Sequence, residues 1–152
     1  MATVSAKLAV PYPTGAAESL WYDTGRWPGF VDGFGWLKTV EGQWPGVGAR
    51  VVWDTKPGGR GRVTETVTAY EPRRMCVTEV EDDQLSGTQT VAFSPHAEGT
   101  TMQLSLQYAI KARTPLTPVV DLFFVRRTQR ESLQRTLRRF ALELRDEISP
   151  PV

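Results

Sequence analysis

Six short segments rich in β-branched and aromatic residues follow one another between residues 34 and 112, with a turn signal between each segment and the next. The segments are GWLKTVEG, GARVVWDTK, GRVTETVTAY, MCVTEVE, GTQTVAFS and TTMQLSLQYAIK. The turn signals between them are QWPGVG, KPGGRG, YEPRR, EDDQLSG and SPHAEG. Strands joined this closely leave no room for crossover helices, so the pattern predicts an antiparallel meander.

Elements on either side of the meander complete the predicted architecture. The alternation in TVSAKLAV predicts a first strand, and two short helices follow it, one over about 14–22 and one at RWPG. A long helix is predicted after the last strand, with Pro115 and Pro118 in its first turn and its end at about Ile148.

The last strand shows which face of the sheet is dry. Its apolar residues alternate strictly with polar ones, and they are Met102, Leu104, Leu106, Tyr108 and Ile110. One helix is too narrow to cover the dry face of a seven-stranded sheet. We therefore predict an α+β helix-grip fold, in which the antiparallel sheet wraps around the long C-terminal helix and leaves a cavity between them.

Length and composition limit the classes of function. The chain has 152 residues, so we expect a single domain over residues 1–148 and a short tail over 149–152. A net charge of +1 provides no overall field for nucleic acid, so no nucleic-acid partner is expected. No apolar stretch is long enough for a signal peptide or a membrane span, which predicts a cytoplasmic protein. The sequence offers no clear oligomer seam.

Metal and redox chemistry find little support in the sequence. The chain has one cysteine, Cys76, and one histidine, His96, which cannot build a usual zinc site or an internal disulfide. The sequence therefore predicts neither a metal site nor a cofactor.

The order of elements resembles the START/Bet v 1-like superfamily, also called SRPBCC, and within it the polyketide cyclase/dehydrase-like group. The stretches that carry the resemblance are VPYPTGAAESLWYDTGRWPGF, VGARVVWDTKPGGRGRV, TVTAYEPRRM and GTTMQLSLQYAIK. The resemblance covers nearly the whole chain and implies the helix-grip fold. It does not choose an activity, because the superfamily includes lipid carriers, hormone receptors and cyclases.

The stretch GRWPGFVDGFGW, residues 25–36, concentrates aromatic side chains in the segment that would close one end of the sheet. Trp27, Phe30 and Phe34 either plug that end or line the mouth of a ligand cavity. The resemblance implies the second role for Trp27, since the Trp of the family's WP pair lines the pocket. Trp53, Met102, Leu104 and Leu106 are expected to line the same cavity from the sheet.

Arg62 is a candidate catalytic and ligand-binding residue. The resemblance implies a role for it, because Gly61-Arg62-Val63 is similar to the GRV of aromatase/cyclases, whose Arg reaches into the pocket and stabilises an enolate. Strand alternation instead directs Arg62, Thr64 and Thr66 to water and Glu65 inward. A β-bulge would turn Arg62 inward, and Thr64 and Thr66 would then form a polar cavity wall.

The C-terminal helix contributes one more candidate. Its apolar stripe is continuous at both ends and interrupted by Arg126 and Gln129. Either the helix kinks there and releases Arg126 to solvent, or Arg126 is a second cation at the cavity.

Three functions follow from these residues. The first is binding of a small hydrophobic molecule, lipid-like or aromatic and polyketide-like, in the cavity. The second is a cyclase or dehydratase in which Arg62 polarises a carbonyl. The third is a protein-interaction module, which predicts a filled interior.

Overall fold

The computed structural model describes residues 2–111 and 119–149. In chain order the elements are β1 (Ala2–Val10), α1 (Thr14–Trp21), a 3-10 helix (Thr24–Gly29), β2 (Phe34–Glu41), β3 (Arg50–Thr55), β4 (Arg62–Glu71), β5 (Met75–Glu81), β6 (Leu85–His96), β7 (Gly99–Ile110) and α2 (Val119–Ile148). The predicted helical turn at Pro115 and Pro118 and most of the predicted tail, residues 150–152, lie outside the described residues.

All seven strands form one antiparallel sheet in the order β1-β7-β6-β5-β4-β3-β2. Only β1 is out of sequence order, because it pairs with β7 after the meander has been completed. The long helix α2 follows the strands and two short helices follow β1, which confirms the predicted helix-grip fold.

The dry face of the sheet and one stripe of α2 form the core. Every second residue of β7 from Met102 to Tyr108 is buried, as the alternation predicts. The buried stripe of the helix repeats every three or four residues and consists of Leu133, Leu137, Phe140 and Leu144. Burying such side chains against one another is the main driving force for this arrangement.

The two short helices close one end of the sheet through aromatic contacts. Trp21 and Phe30 pack against each other with ring centroids 5.5 Å apart. Phe140 of α2 meets Trp21 at 5.4 Å and Phe30 at 5.1 Å, in edge-to-face geometry. Phe30 therefore belongs to the packed core at this end rather than to a surface lip.

The connection between β3 and β4 depends on Gly61. Its φ of +79° lies in the left-handed region, where a residue with a Cβ is strained, and a Cβ there would also displace the Asp83 carboxylate, so glycine is strongly favoured. Thr55 holds the turn, since its hydroxyl accepts a hydrogen bond from the Gly61 N–H at 2.9 Å and donates one to the Gly61 carbonyl at 3.0 Å. This turn separates Arg60 from Arg62, which lie on opposite sides of the sheet.

Candidate functional site

A cavity of about 60 Å³ lies between the dry face of the sheet and α2. Its walls come from α1, the 3-10 helix, the β2–β3 loop, strands β3 to β7 and the middle of α2. A water molecule needs roughly 10–15 Å³ of such space, whereas drug-sized ligands occupy roughly 300–1,000 Å³. The cavity in this structure therefore suits a few water molecules or a small organic group.

Five aromatic rings in continuous contact form one side of the cavity, and we call them the aromatic wall. The centroid distances along it are 6.4 Å from Tyr22 to Trp44, 5.7 Å from Trp44 to Trp27, 6.4 Å from Trp27 to Phe34 and 5.1 Å from Phe34 to Trp53. Four of the five line the cavity directly, and Phe34 stands behind them.

The indole N–H groups of the aromatic wall are occupied by protein acceptors. Trp27 donates to the Trp21 carbonyl at 2.9 Å, and Trp44 donates to the Tyr22 carbonyl at 2.9 Å. Trp53 donates to the Glu65 carboxylate at 2.8 Å. These bonds fix the ring orientations, so the three indoles offer ring surface rather than hydrogen bonds to anything in the cavity.

Glu65 is a carboxyl group buried inside the cavity wall. It lies on β4, two pairs along the β3–β4 ladder from the Trp53–Val63 pair, so the Trp53 indole reaches it diagonally on the same face of the sheet. Burial raises the pKa of Glu65, and this effect outweighs the Trp53 hydrogen bond and the Arg60 charge, which both lower it.

Arg60 and Asp82 stand together at one edge of the cavity. The Arg60 guanidinium lies over the Trp53 ring at 6.0 Å, and its Nε is 3.5 Å from Asp82 Oδ2. The Asp82 side chain is completely buried, and its Oδ1 accepts hydrogen bonds from the backbone N–H groups of Gln84 and Leu85. Asp82 therefore shapes the β5–β6 turn while it holds a cation at the cavity edge.

Two buried hydroxyls of cavity-lining residues have no hydrogen-bond partner in the described part of the chain. They are the Tyr22 phenol and the Thr78 hydroxyl, and the second of these faces the Glu65 carboxyl without forming a hydrogen bond of normal geometry. Unpaired buried polar atoms cost free energy, so each marks a place where a bound water or ligand would be favoured. Burial also raises the pKa of Tyr22 and raises that of the neighbouring Cys76 thiol to about 12.

Asp32 fastens the loop before β2 to α2. Its carboxylate accepts hydrogen bonds from Arg135 Nε at 3.0 Å and from the Ser132 hydroxyl at 2.8 Å, and its backbone N–H donates to the Thr136 hydroxyl at 3.0 Å. Burial raises the pKa of Asp32, but the Arg135 and Ser132 hydrogen bonds and the charges of Arg135 and Arg139 together lower it below its usual value.

A second, outer pocket of about 250 Å³ adjoins the cavity between the β3–β4 loop and α2. The two spaces share four lining residues, which are Asp32, Arg60, Gln129 and Ser132. We call the outer pocket the vestibule. Because every shared residue is polar, the boundary between the apolar cavity and the vestibule is a polar ring.

Four of the residues expected in the cavity do line it, namely Trp27, Trp53, Leu104 and Leu106. Three others, Phe30, Phe34 and Met102, are buried in the core next to it without lining it. The aromatic stretch at residues 25–36 thus divides its rings between the cavity wall and the packed end of the fold.

The cavity role predicted for Arg62, which required an inward orientation, is wrong, and the side chain points outward as strand alternation indicates. The β3–β4 register runs unbroken from Arg50–Thr66 to Asp54–Arg62, and the nearest irregularity in β4 lies farther along, at Val67 and Ala69. Without a bulge the Arg62 side chain points outward, where it is 57% exposed and donates to Asp54 at 3.0 Å.

Three other residues in the predicted site also lie away from the cavity. Thr64 and Thr66 share the outer face with Arg62, because strand alternation sends Val63, Glu65 and Val67 inward instead. Arg126 is exposed, and its Nη2 lies 3.5 Å from the Thr3 carbonyl. Gln129, one turn farther along α2, is the polar residue that faces the cavity.

The sequence did not indicate Arg60, Trp44 or Asp32 as cavity residues, and it indicated Glu65 only as an inward-facing residue. Glu65 had a signal, since alternation placed it inward. No pattern in the sequence indicated Arg60. In a regular strand Arg60 and Arg62 would lie on the same face of the sheet, but the left-handed turn at Gly61 places them on opposite faces. Trp44 and Asp32 lie in loops, where the sequence has no regular alternation from which the orientation of a side chain could be predicted.

The described ranges, 2–111 and 119–149, contain neither a metal-binding cluster nor a helix able to span a membrane. Within them no three residues of the types His, Cys, Asp and Glu gather in a way that could hold a metal ion. No helix there has the length and apolarity needed to cross a bilayer.

Comparison with known proteins bears on the whole chain. A family model described as polyketide cyclase/dehydrase and lipid transport matches residues 1–145. No curated protein matches the sequence.

Solved structures share the fold at low sequence identity. TTHA0849 from Thermus thermophilus superposes with a TM-score of 0.81 at 20% identity, covering 97% of this chain and 100% of that one. A START superfamily protein from Mycobacterium smegmatis gives 0.78 at 15% identity, covering 95% and 98%. The di-domain ARO/CYC StfQ of the steffimycin biosynthetic pathway gives 0.77 at 19%, covering 96% of this chain and 51% of that one.

Proposed function

Because the chain belongs to the polyketide cyclase/dehydrase and lipid transport family and has a START/polyketide cyclase-like fold, we propose that it binds a small hydrophobic ligand, lipid-like or aromatic, in the cavity between sheet and helix. The observation that carries the proposal is the aromatic wall beside an enclosed space with unpaired hydroxyls. A core that served only stability would be close-packed, because a protein whose side chains fill the interior is more stable than one with an unfilled cavity.

The size of the cavity limits the ligand. With about 60 Å³, it accepts only a small organic group as it stands, and any larger molecule would extend through the polar ring into the vestibule of about 250 Å³.

The two alternative functions have less support. A cyclase reaction that depends on Arg62 has less support, because the Arg62 guanidinium is exposed on the outer face of the sheet, is paired with Asp54 and does not contact the cavity. An interaction module predicts a filled interior, which does not agree with the space beside the aromatic wall.

A titration with the neutral dye N-phenyl-1-naphthylamine tests the proposal. The native protein is expected to bind the dye at micromolar concentration and to raise its fluorescence. Val91→Phe adds a ring to a buried, cavity-lining position on β6, so it is expected to weaken dye binding at least tenfold. The matched control is Val77→Phe, the same change on the outer face of the neighbouring strand β5.

A thermal melt of both variants checks that each is folded, because overpacking a core commonly costs about 1–3 kcal/mol. Dye binding that Val91→Phe leaves intact would show that the dye sits elsewhere and would contradict the proposal. Absence of dye binding to the native protein would contradict it as well.

A further inference from the structure

Two features of the cavity, taken together, indicate the class of ligand that it binds. One is the aromatic wall, and the other is a carboxyl group that is buried beside it without a cationic partner. The Glu65 residue is only 7% exposed, and no cationic nitrogen of the described residues lies within 4.0 Å of its carboxylate.

The other acidic groups around the cavity are already balanced. Asp82 faces Arg60, whose Nε is 3.5 Å away. Asp32 faces Arg135 at 3.0 Å and Arg139 at 3.4 Å. Glu65 is therefore the one acidic residue in the described lining of the cavity that no basic side chain of the described chain neutralises through an ion pair.

The aromatic wall favours positive charge. Its lining indoles donate their N–H groups to protein acceptors. Phe34 stacks on the Trp53 ring and Arg60 lies over it, so Trp27 and Trp44 are the indoles with ring surface left for a ligand. An aromatic face attracts cations through its quadrupole, and Trp faces do so most strongly. Arg60 over the Trp53 ring shows that one end of the wall already holds a cation.

From these contacts we propose that the cavity recognises an organic cation, a ligand whose alkylated ammonium group lies against the Glu65 carboxylate and the Trp27 and Trp44 rings of the aromatic wall. The inference rests on the proposed ligand-binding function and names the class of ligand. The alkylated ammonium group would fill most of the cavity, and a larger substituent on it would extend through the polar ring into the vestibule.

Charge compensation explains why a cation suits this site better than a neutral molecule of equal shape. Without a ligand, burial favours the protonated form of Glu65, as its raised pKa indicates. A bound ammonium group stabilises the ionised carboxylate and gains the full charge interaction in a poorly solvated space. The groups that face Glu65 or shift its titration are Trp53, Arg60 and Thr78, and the Cys76 thiol is close enough to feel its charge.

A pair of probes with the same shape and different charge tests the inference. Phenyltrimethylammonium carries a positive nitrogen where tert-butylbenzene carries a neutral carbon. Quenching of tryptophan fluorescence reports binding of both, because three indoles line the cavity beside Trp21. The native protein is expected to bind the cation at least tenfold more tightly than the neutral probe.

Two variants assign the preference to its source. Glu65→Gln keeps an acceptor for the Trp53 N–H and removes the charge, so it is expected to weaken binding of the cation at least tenfold and to change binding of tert-butylbenzene less than twofold. The control Glu79→Gln removes the same charge from an exposed position on β5 and is expected to change neither affinity.

Three results would overturn the inference in distinguishable ways. Equal affinity of the native protein for the two probes would reject cation recognition and leave the proposed ligand-binding function standing. A preference for the cation that Glu65→Gln does not reduce would reject Glu65 as its source. Failure of both probes to bind would contradict the ligand-binding function together with the inference.

Discussion

Replacing Glu65 by Gln is expected to make the unliganded protein more stable at neutral pH. In the native state burial holds the pKa of Glu65 above its usual value of 4.5. Above that value the unfolded chain loses its proton freely, while the native protein either keeps the proton or ionises a buried group. The contribution of the protonated Glu65 carboxyl to the unfolding free energy is therefore fully present below pH 4.5, and it is lost as the pH rises through the pKa of Glu65 in the native protein. Gln at this position has no proton to lose.

The size of the effect follows from linkage. Between pH 4.5 and the native pKa, the unfolding free energy of Glu65→Gln minus that of the native protein should rise by up to about 1.4 kcal/mol per pH unit and then level off. Below pH 4.5 the difference should be small, because Gln replaces the protonated acid at equal size and still accepts the Trp53 hydrogen bond.

Urea unfolding at constant ionic strength from pH 4 to pH 8 measures this difference directly. Glu79→Gln, an exposed carboxyl on the outer face of β5, reports the effect of net charge alone. A difference that stays flat over this range, or that decreases as the pH rises, would refute the account of Glu65 as a buried carboxyl without a cationic partner.

Three further predictions follow from the positions of single side chains. Arg62→Ala should leave dye affinity within twofold of the native value, since the Arg62 guanidinium points away from the cavity; a tenfold loss in the same titration would restore it to the site. Asp32→Asn should lower the unfolding free energy at pH 7 by about 1–2 kcal/mol, because it weakens the partly exposed pairing with Arg135. This loss should shrink as the pH falls below the usual Asp pKa of 3.8, since the native carboxylate then becomes protonated. A loss of stability that is equally large at pH 7 and below pH 3.8 would contradict this. The Cys76 thiol should resist Ellman's reagent at pH 8 until the protein is denatured, because burial raises its pKa to about 12, and rapid labelling of the native protein would contradict its burial.

The sequence predicted the fold well because the signals for it are periodic and redundant. Every segment of the meander that alternation or β-propensity indicated is a strand, with ends that differ by only a few residues. Turn residues between the strands specified their antiparallel order, and the length of the C-terminal helix left one way to cover the dry face.

The candidate site was harder to predict because its decisive residues lie where periodicity stops. Alternation in β4 correctly assigned Glu65 to the inside, whereas the family resemblance directed attention to Arg62 on the outer face. Arg60 was missed because a single left-handed glycine turns the chain between these two arginines. Arg126 and Gln129 share one helical stripe, and only the packing of α2 decides which of them reaches the cavity.

Native mass spectrometry of freshly purified protein, followed by denaturing extraction, tests the central claim of a ligand-binding cavity most directly. The account predicts a discrete small-molecule mass that is lost on unfolding and is absent from Val91→Phe while present in Val77→Phe. A protein that purifies free of ligand and takes up nothing from a panel of lipids, quinones, polyphenols and aryl-ammonium compounds would contradict it.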